Sequence, residues 1–185
     1  MAVSVTGKVL LDTNVFIDYL RADLHVDWIF GGVSNTIRFL SSVVLMELRL
    51  GADTSRRKRA VDRIQAAFPT GRLIAPLPVL FDHAGRLFRT LHGDGSGLAD
   101  RLGPVNDLLI ALTARQMGAT VVTSNLQEFN QIAAHVSGLK IVAPEDQESL
   151  RGSELRPSWT SNLEIKEQIR AVLIVDPIPP LPILD

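Results

Sequence analysis

The sequence predicts an α/β fold, a central parallel sheet flanked by helices, with a C-terminal helical and extended tail. Three observations carry this. Short apolar runs with strand character alternate along the chain with segments of helical periodicity. Glycine, proline and serine or threonine fall where those helices should start and stop. The chain has 185 residues, 46% of them hydrophobic, which suits one domain with a real core and an appendage better than two full domains. The domain is expected over residues 1–144 and the appendage over 145–185.

The elements follow in order. Lys8 to Leu11 reads as a short buried strand ending at Asp12. A helix is expected from Asn14 to Leu20, with Val15, Phe16 and Tyr19 on one face. Thr36 to Leu40 is a second strand. Ser42 is the expected cap of a helix through Leu50, which Gly51 ends. Ser55 is the expected cap of another, Arg56 to Phe68, with Val61, Ile64 and Phe68 as its apolar stripe and Pro69 as its stop. Arg72 to Leu77 is a third strand interrupted by proline. A helix from Val79 to about Leu91 leads into the glycine-rich loop His92 to Gly97. Pro104 suits the first turn of a helix running to Met117, with Gly118 as its end. Ala119 to Thr123 is a strand, Leu126 to Val136 a helix, and Leu139 to Val142 a last strand before Pro144.

Residues 145–185 have a different character. Ser161 and Glu164 form a capping box that opens a helix over about 162–174, with Ile165, Ile169, Val172 and Leu173 as an apolar stripe. The segment from Asp176 to Pro182 is too rich in proline to continue it and should be extended. Charge divides the same way. Residues 1–144 hold 15 Lys and Arg against 12 Asp and Glu, a balance of +3. Residues 145–185 hold 4 against 8, a balance of −4, which gives the net −1 of the whole chain. An acidic, amphipathic tail beside a mildly basic body suits a dimerisation arm or an extra packing helix, or a restraint on the body's activity.

There are no cysteines, which excludes disulfides, zinc-thiolate sites and thiol nucleophiles. No apolar run reaches the roughly 18 residues a membrane span needs, and no secretory leader is evident at the N-terminus. A cytoplasmic protein without membrane association is expected.

Four stretches carry the chemistry. Asp12 ends the first strand in Leu11-Asp12-Thr13-Asn14. Glu47 lies in the largely apolar helix Val43 to Leu48. Asp107 precedes Leu108, Leu109, Ile110 and Ala111, and is expected in the first turn of its helix, where the helix dipole favours an acid. Asn125 closes the strand that ends Val121-Val122-Thr123. In an open parallel sheet, ligands bind beyond the carboxyl ends of the strands, where Asp12 and Asn125 both fall. An ionised carboxylate in apolar surroundings is costly unless something pairs with it. Several meeting in one place repel each other unless a cation sits between them. That set therefore points to a divalent metal and to metal-assisted phosphodiester chemistry. Each residue also has a plainer reading: a turn or cap for Asp12, a solvent-facing partner of Arg38 or Arg49 for Glu47, a helix N-terminal acid for Asp107, a turn for Asn125.

The stretches Leu11 to Leu20, Ser42 to Gly51, Asn106 to Ala111 and Val121 to Phe129, in that order, resemble the PIN-domain family, and within it the VapC-type toxins of toxin–antitoxin pairs. The resemblance covers about residues 8–143. It implies a three-layer PIN-like fold and a Mg2+- or Mn2+-dependent endoribonuclease, with Asp12, Glu47 and Asp107 as the catalytic, metal-holding acids. Relatives carry a fourth acid where this chain has Asn125, so one firmly held ion is implied. Asn125 and Glu128 are further candidates to orient water or a weaker second ion. An RNA substrate, a cognate antitoxin and a homodimer are the implied partners. Residues 145–185 depart from the simple toxins of this type.

Arg56, Arg59 and Arg63 share one helix face opposite Val61, Ile64 and Phe68, and are candidates for tracking RNA phosphates as well as for a plain solvated surface. His25, His83, His92 and His135 show no paired spacing and read as incidental. The glycine loop around Ser96 lacks the lysine and spacing of a phosphate-binding loop. Two other functions compete. A haloacid-dehalogenase-type phosphatase also opens on a strand ending in aspartate, but it would want an acid at position 14, which is Asn. A non-catalytic RNA-binding or scaffold protein could keep the fold without the activity.

Overall fold

Gly7–Leu11 forms the first strand, β1, and the rest of the domain is built around it. Its residues Val9, Leu10 and Leu11 have no solvent exposure at all, as expected of a strand covered on both faces. Burying three such side chains contributes roughly 1.5–3 kcal/mol each. The other strands are β2 (Thr36–Ser41), β3 (Leu73–Ile74), β4 (Thr120–Val122) and β5 (Lys140–Val142). They form one sheet in the order β3-β2-β1-β4-β5, and every pair is parallel. Leu10 stands opposite Phe39 on one side and Val121 on the other. The third strand is shorter than its sequence suggested. A 3-10 turn, Thr70–Arg72, takes up its start, and Pro76 has no N–H to offer a ladder.

The computed structural model describes residues 5–144. The chain divides into two units, Met1–Leu150 and Arg151–Asp185. The tail helix expected over 162–174 and the extended segment after it lie outside the described residues.

Among the described residues, seven helices flank the sheet: α1 (Thr13–Ala22), α2 (Val26–Phe30), α3 (Ser42–Leu50), α4 (Ser55–Ala66), α5 (Pro78–His92), α6 (Leu102–Met117) and α7 (Leu126–His135). Two caps differ from expectation by one residue. Ser41, not Ser42, caps α3, its hydroxyl accepting from Val43 N at 3.2 Å. Thr54, not Ser55, caps α4 through Arg57 N at 3.2 Å. In both places two adjacent hydroxyl residues could cap, and the one still in extended conformation does so. Pro104 falls in the first turn of α6 as expected, as its third residue. Asp100 starts the helix by accepting from Leu102 N at 2.9 Å and Gly103 N at 3.1 Å, and Gly118 ends it at φ 68°, a left-handed position that favours glycine. Asp107 is therefore in the second turn, and the helix-terminus argument for its charge does not hold.

This helix is central to the packing. Asn106 and the run Leu108 to Ala114 are all buried, because α6 lies on β1 and β4 and meets α3, α5 and α7 as well. The short helix α2 was not legible in the sequence. It has no side-chain cap and sits between left-handed residues, His25 and Gly31. Its Trp28 is nonetheless among the most deeply buried side chains, and its Nε1 donates to the carbonyl of Pro144 at 3.0 Å. Phe68, beyond the end of α4, packs edge-on to Phe16 at 6.1 Å, with the guanidinium of Arg38 over its ring.

Candidate active site

The strand order sets the site's place. From β1 the chain moves outward through β2 to β3, then returns across the sheet to β4 on the other side of β1. Such a reversal leaves a crevice beyond the carboxyl ends of the two inner strands. Asp12 sits there, the first residue after β1. Its backbone N still bonds Val122 O of β4 at 3.0 Å, and its side chain is 3% exposed. It does act as the N-terminal cap of α1, so the plainer reading holds alongside any chemical role.

A hydrogen-bond network fixes the Asp12 carboxylate. Oδ1 accepts from Thr13 N at 2.7 Å, and Oδ2 accepts from the hydroxyl of Thr123 at 2.8 Å. That hydroxyl in turn accepts from Asn14 Nδ2 at 3.0 Å and from Asn125 N at 2.9 Å. A hydroxyl has one proton and two lone pairs. Both lone pairs of Thr123 are engaged, so its proton is committed to Asp12. Asn14 also accepts from Ser124 N at 3.1 Å, which ties the turn after β4 to the start of α1. Burial pushes the Asp12 carboxyl up to about 6 against the pull of these hydrogen bonds, and the negative charges of Glu47 and Glu128 add to the rise.

Glu47 approaches from α3. It pairs with neither Arg38 nor Arg49. Arg49 bonds Asp62 at 2.6 Å, and Arg38 donates to the carbonyl of Ile29. The Glu47 carboxylate is held instead between two neutral donors. The Thr13 hydroxyl donates to Oε2, and Asn106 Nδ2 donates to Oε1 at 2.9 Å.

Asp107 lies next along α6. Its carboxyl is pushed up to about 8, first by burial and then by the charges of Asp12, Glu128 and Glu47. It is thus protonated near neutral pH unless a cation compensates the charge. Asn125 is the residue before α7 and makes no side-chain cap. Its Nδ2 donates to Glu128 Oε2 at 3.2 Å, so the amide and the acid considered together in the sequence do touch. Four acids, Asp12, Glu47, Asp107 and Glu128, therefore share one charge field.

Among the described residues, no three His, Asp or Glu side chains stand close enough together to hold a metal ion as oriented. The chemistry of the set nevertheless fits one. Every donor is oxygen, which suits a hard divalent cation. Each oxygen of Asp12 and Glu47 accepts one hydrogen bond from the described residues and keeps lone-pair capacity. The residues that reasoning from sequence missed are the neutral supports Thr13, Asn14, Asn106 and Thr123. Their signal was a polar side chain adjoining each acid, or ending its strand, within an apolar run.

The basic candidates lie elsewhere on the domain. Arg56 and Arg59 are exposed on α4 and Arg63 is half-buried, near enough to Tyr19 to act on its hydroxyl's charge. Their neighbour Arg57 is taken by Asp53 at 2.7 Å.

The parallel sheet with acids gathered at its switch point defines a class, an α/β domain whose candidate site lies beyond the carboxyl ends of its inner strands. A family model for the PIN domain matches residues 9–135, well over half of the sequence, and the chain belongs to the PIN-domain family. The family is one of nucleases. Solved structures of similar fold include the DNA-bound VapBC of Salmonella typhimurium, at 26% identity and a TM-score of 0.53 over 74% of this chain and 98% of that one. VapBC-1 of nontypeable Haemophilus influenzae is similar at 24% identity and a TM-score of 0.53 over 75% and 98%. VapBC2 of Rickettsia felis, bound to a promoter DNA fragment, is similar at 23% and 0.52 over 74% and 98%. No curated protein matches the chain.

Proposed function

We propose that this chain is a divalent-metal-dependent endoribonuclease, the toxin of a toxin–antitoxin pair. One observation carries the reading. Burial, reinforced by the charges of Asp12, Glu128 and Glu47, pushes the Asp107 carboxyl up to about 8. Acids so arranged have a use when a cation joins them, and perturbed carboxyls in a switch-point crevice are a mark of functional sites.

Asp12, Glu47 and Asp107 would hold Mg2+ or Mn2+, with Asn125 and Glu128 orienting water or a weaker second ion. The ion, when bound, supplies a more acidic water and a charge that stabilises the phosphoryl oxygens. The chain's own residues do the rest. Thr123 and the Thr13 amide aim Asp12. Thr13 and Asn106 aim Glu47. Asp107 must lose its proton for the carboxylate set to be complete. The exposed Arg56 and Arg59, with Arg63 beside them, offer guanidinium forks to RNA phosphates without reading sequence. The VapBC relatives support an antitoxin partner, and a homodimer is part of the same reading.

Because the 2′-hydroxyl takes no part, cleavage should leave a 5′-phosphate and a 3′-hydroxyl. Incubating RNA with the purified chain in Mg2+ and in EDTA, and then identifying the ends, tests this. Cyclic phosphate ends, or cleavage undiminished by EDTA, would defeat the proposal.

A further inference from the structure

Glu47 comes from the helix after β2, whereas Asp12 and Asp107 come from the β1 end and from α6. Its carboxylate belongs to a long, flexible side chain, so something has to fix its direction. Two donors do so, one on each oxygen: Thr13 at the start of α1 bonds Oε2 and Asn106 on α6 bonds Oε1. Asn106 is 2% exposed, a buried amide that with Asp107 interrupts an otherwise apolar stretch of α6 from Val105 to Leu112. Its Nδ2 meets Glu47 Oε1 at 2.9 Å across 59 positions of sequence.

The residue type fits the task. A lysine or arginine at 106 would cancel charge that a cation needs. An acid would add a like charge against Glu47. An apolar side chain would leave Oε1 without its partner from α6. A neutral donor orients the carboxylate and leaves the charge of the site unchanged. Asn106 is also the immediate neighbour of Asp107, so the same turn of α6 that bears one acid steers another.

We propose that Asn106 is a positioning residue of the site: its amide fixes Oε1 of Glu47 and ties the acid of α3 to the turn of α6 that carries Asp107. The inference rests on the reading of the acidic cluster as a cation site.

The test is Mn2+ titration of the full chain, followed by the electron paramagnetic resonance signal of free Mn2+, on wild type, Asn106→Ala, Glu47→Ala and the double variant. Asn106→Ala should weaken Mn2+ binding about 10- to 100-fold, the range for residues that orient a ligand. In the Glu47→Ala background, removing Asn106 should have little further effect, because the two act through one contact. Thr113→Ala, at another buried polar position of α6, should bind Mn2+ like wild type. Wild-type affinity in Asn106→Ala, or fully additive effects in the double variant, would overturn the proposal. Should Asn106→Ala not fold, Asn106→Ser replaces it under the same criteria, since serine on a helix can satisfy itself on the preceding turn. Asp12→Asn distinguishes the cation site itself from the role of Asn106 within it. If it abolishes Mn2+ binding while Asn106→Ala does not weaken it, only the role of Asn106 fails. If wild type takes up no Mn2+, or Asp12→Asn binds it equally, the cation site itself fails, and Asn106's role with it.

Discussion

Asp107→Asn should flatten the pH dependence of stability of the metal-free protein. The Asp107 carboxyl is pushed up to about 8 in the folded chain, against an ordinary value of 3.8. A carboxyl that binds its proton more tightly when folded contributes stability that is full below about pH 4. That contribution is lost as pH rises, until about pH 8. Between those limits the loss is about 1.4 kcal/mol per pH unit, so about 2.7 kcal/mol between pH ~5.5 and ~7.5. Solvent screening at this half-buried carboxyl, and coupling among the acids, bring that to about 1–2 kcal/mol. For a chain of this size each kcal/mol moves Tm by about 2–4 °C. Wild type should thus lose roughly 2–8 °C more than Asp107→Asn over that interval. The assay is thermal unfolding of both proteins in EDTA at the two pH values. Adding Mn2+ at the higher pH should then raise the Tm of wild type more than that of the variant. Parallel losses in the two proteins would refute the raised Asp107 carboxyl.

Other consequences are open to similar tests. Thr123→Val removes a hydroxyl with three partners, leaving Asp12 Oδ2 and two donors short. It should cost about 1–3 kcal/mol in urea unfolding, and an unchanged midpoint would count against the network. Replacing both Arg56 and Arg59 by Ala should reduce the slope of log affinity for single-stranded RNA against log salt by about 0.7 per lost phosphate contact, with turnover at saturating RNA unchanged. An unaltered slope would remove α4 from the interface. Asn125→Asp places an acid against Glu128, so its Tm should fall in EDTA and recover more in Mn2+ than that of wild type. A Tm in EDTA equal to that of wild type would show that position 125 lies outside the charge field.

What the sequence made legible follows from where its information is local. The core strands around Leu10 and Val121 could be placed because continuous apolar runs bounded by polar residues have few other solutions. Asp12, Glu47 and Asp107 could be chosen because each interrupts or ends such a run, and the structure brings them into one charge field. Asp107 was misplaced by a turn because Pro104, though in the first turn, does not mark how far back the helix reaches: Asp100 supplies its start through two backbone amides. Asp107 consequently stands in the second turn, and its carboxyl is raised by burial and neighbouring acids, where a helix N-terminus would have lowered it. The short helix around Trp28 has neither a side-chain cap nor enough length for a period to show. The neutral supports were hardest to see. Asn106 meets Glu47 and Thr123 meets Asp12 across separations of 59 and 111 positions, and nothing in one sequence announces a pairing at that range.

The most direct test of the central claim is RNA cleavage by wild type and Asp12→Asn side by side, at equal concentration in Mg2+, with the fold of each checked by thermal unfolding. Wild type should cut RNA to 5′-phosphate and 3′-hydroxyl ends. Asp12→Asn should retain the fold, with a Tm in EDTA at or slightly above that of wild type, and lose the cleavage. Equal cleavage rates in the two proteins would contradict a catalytic role for Asp12.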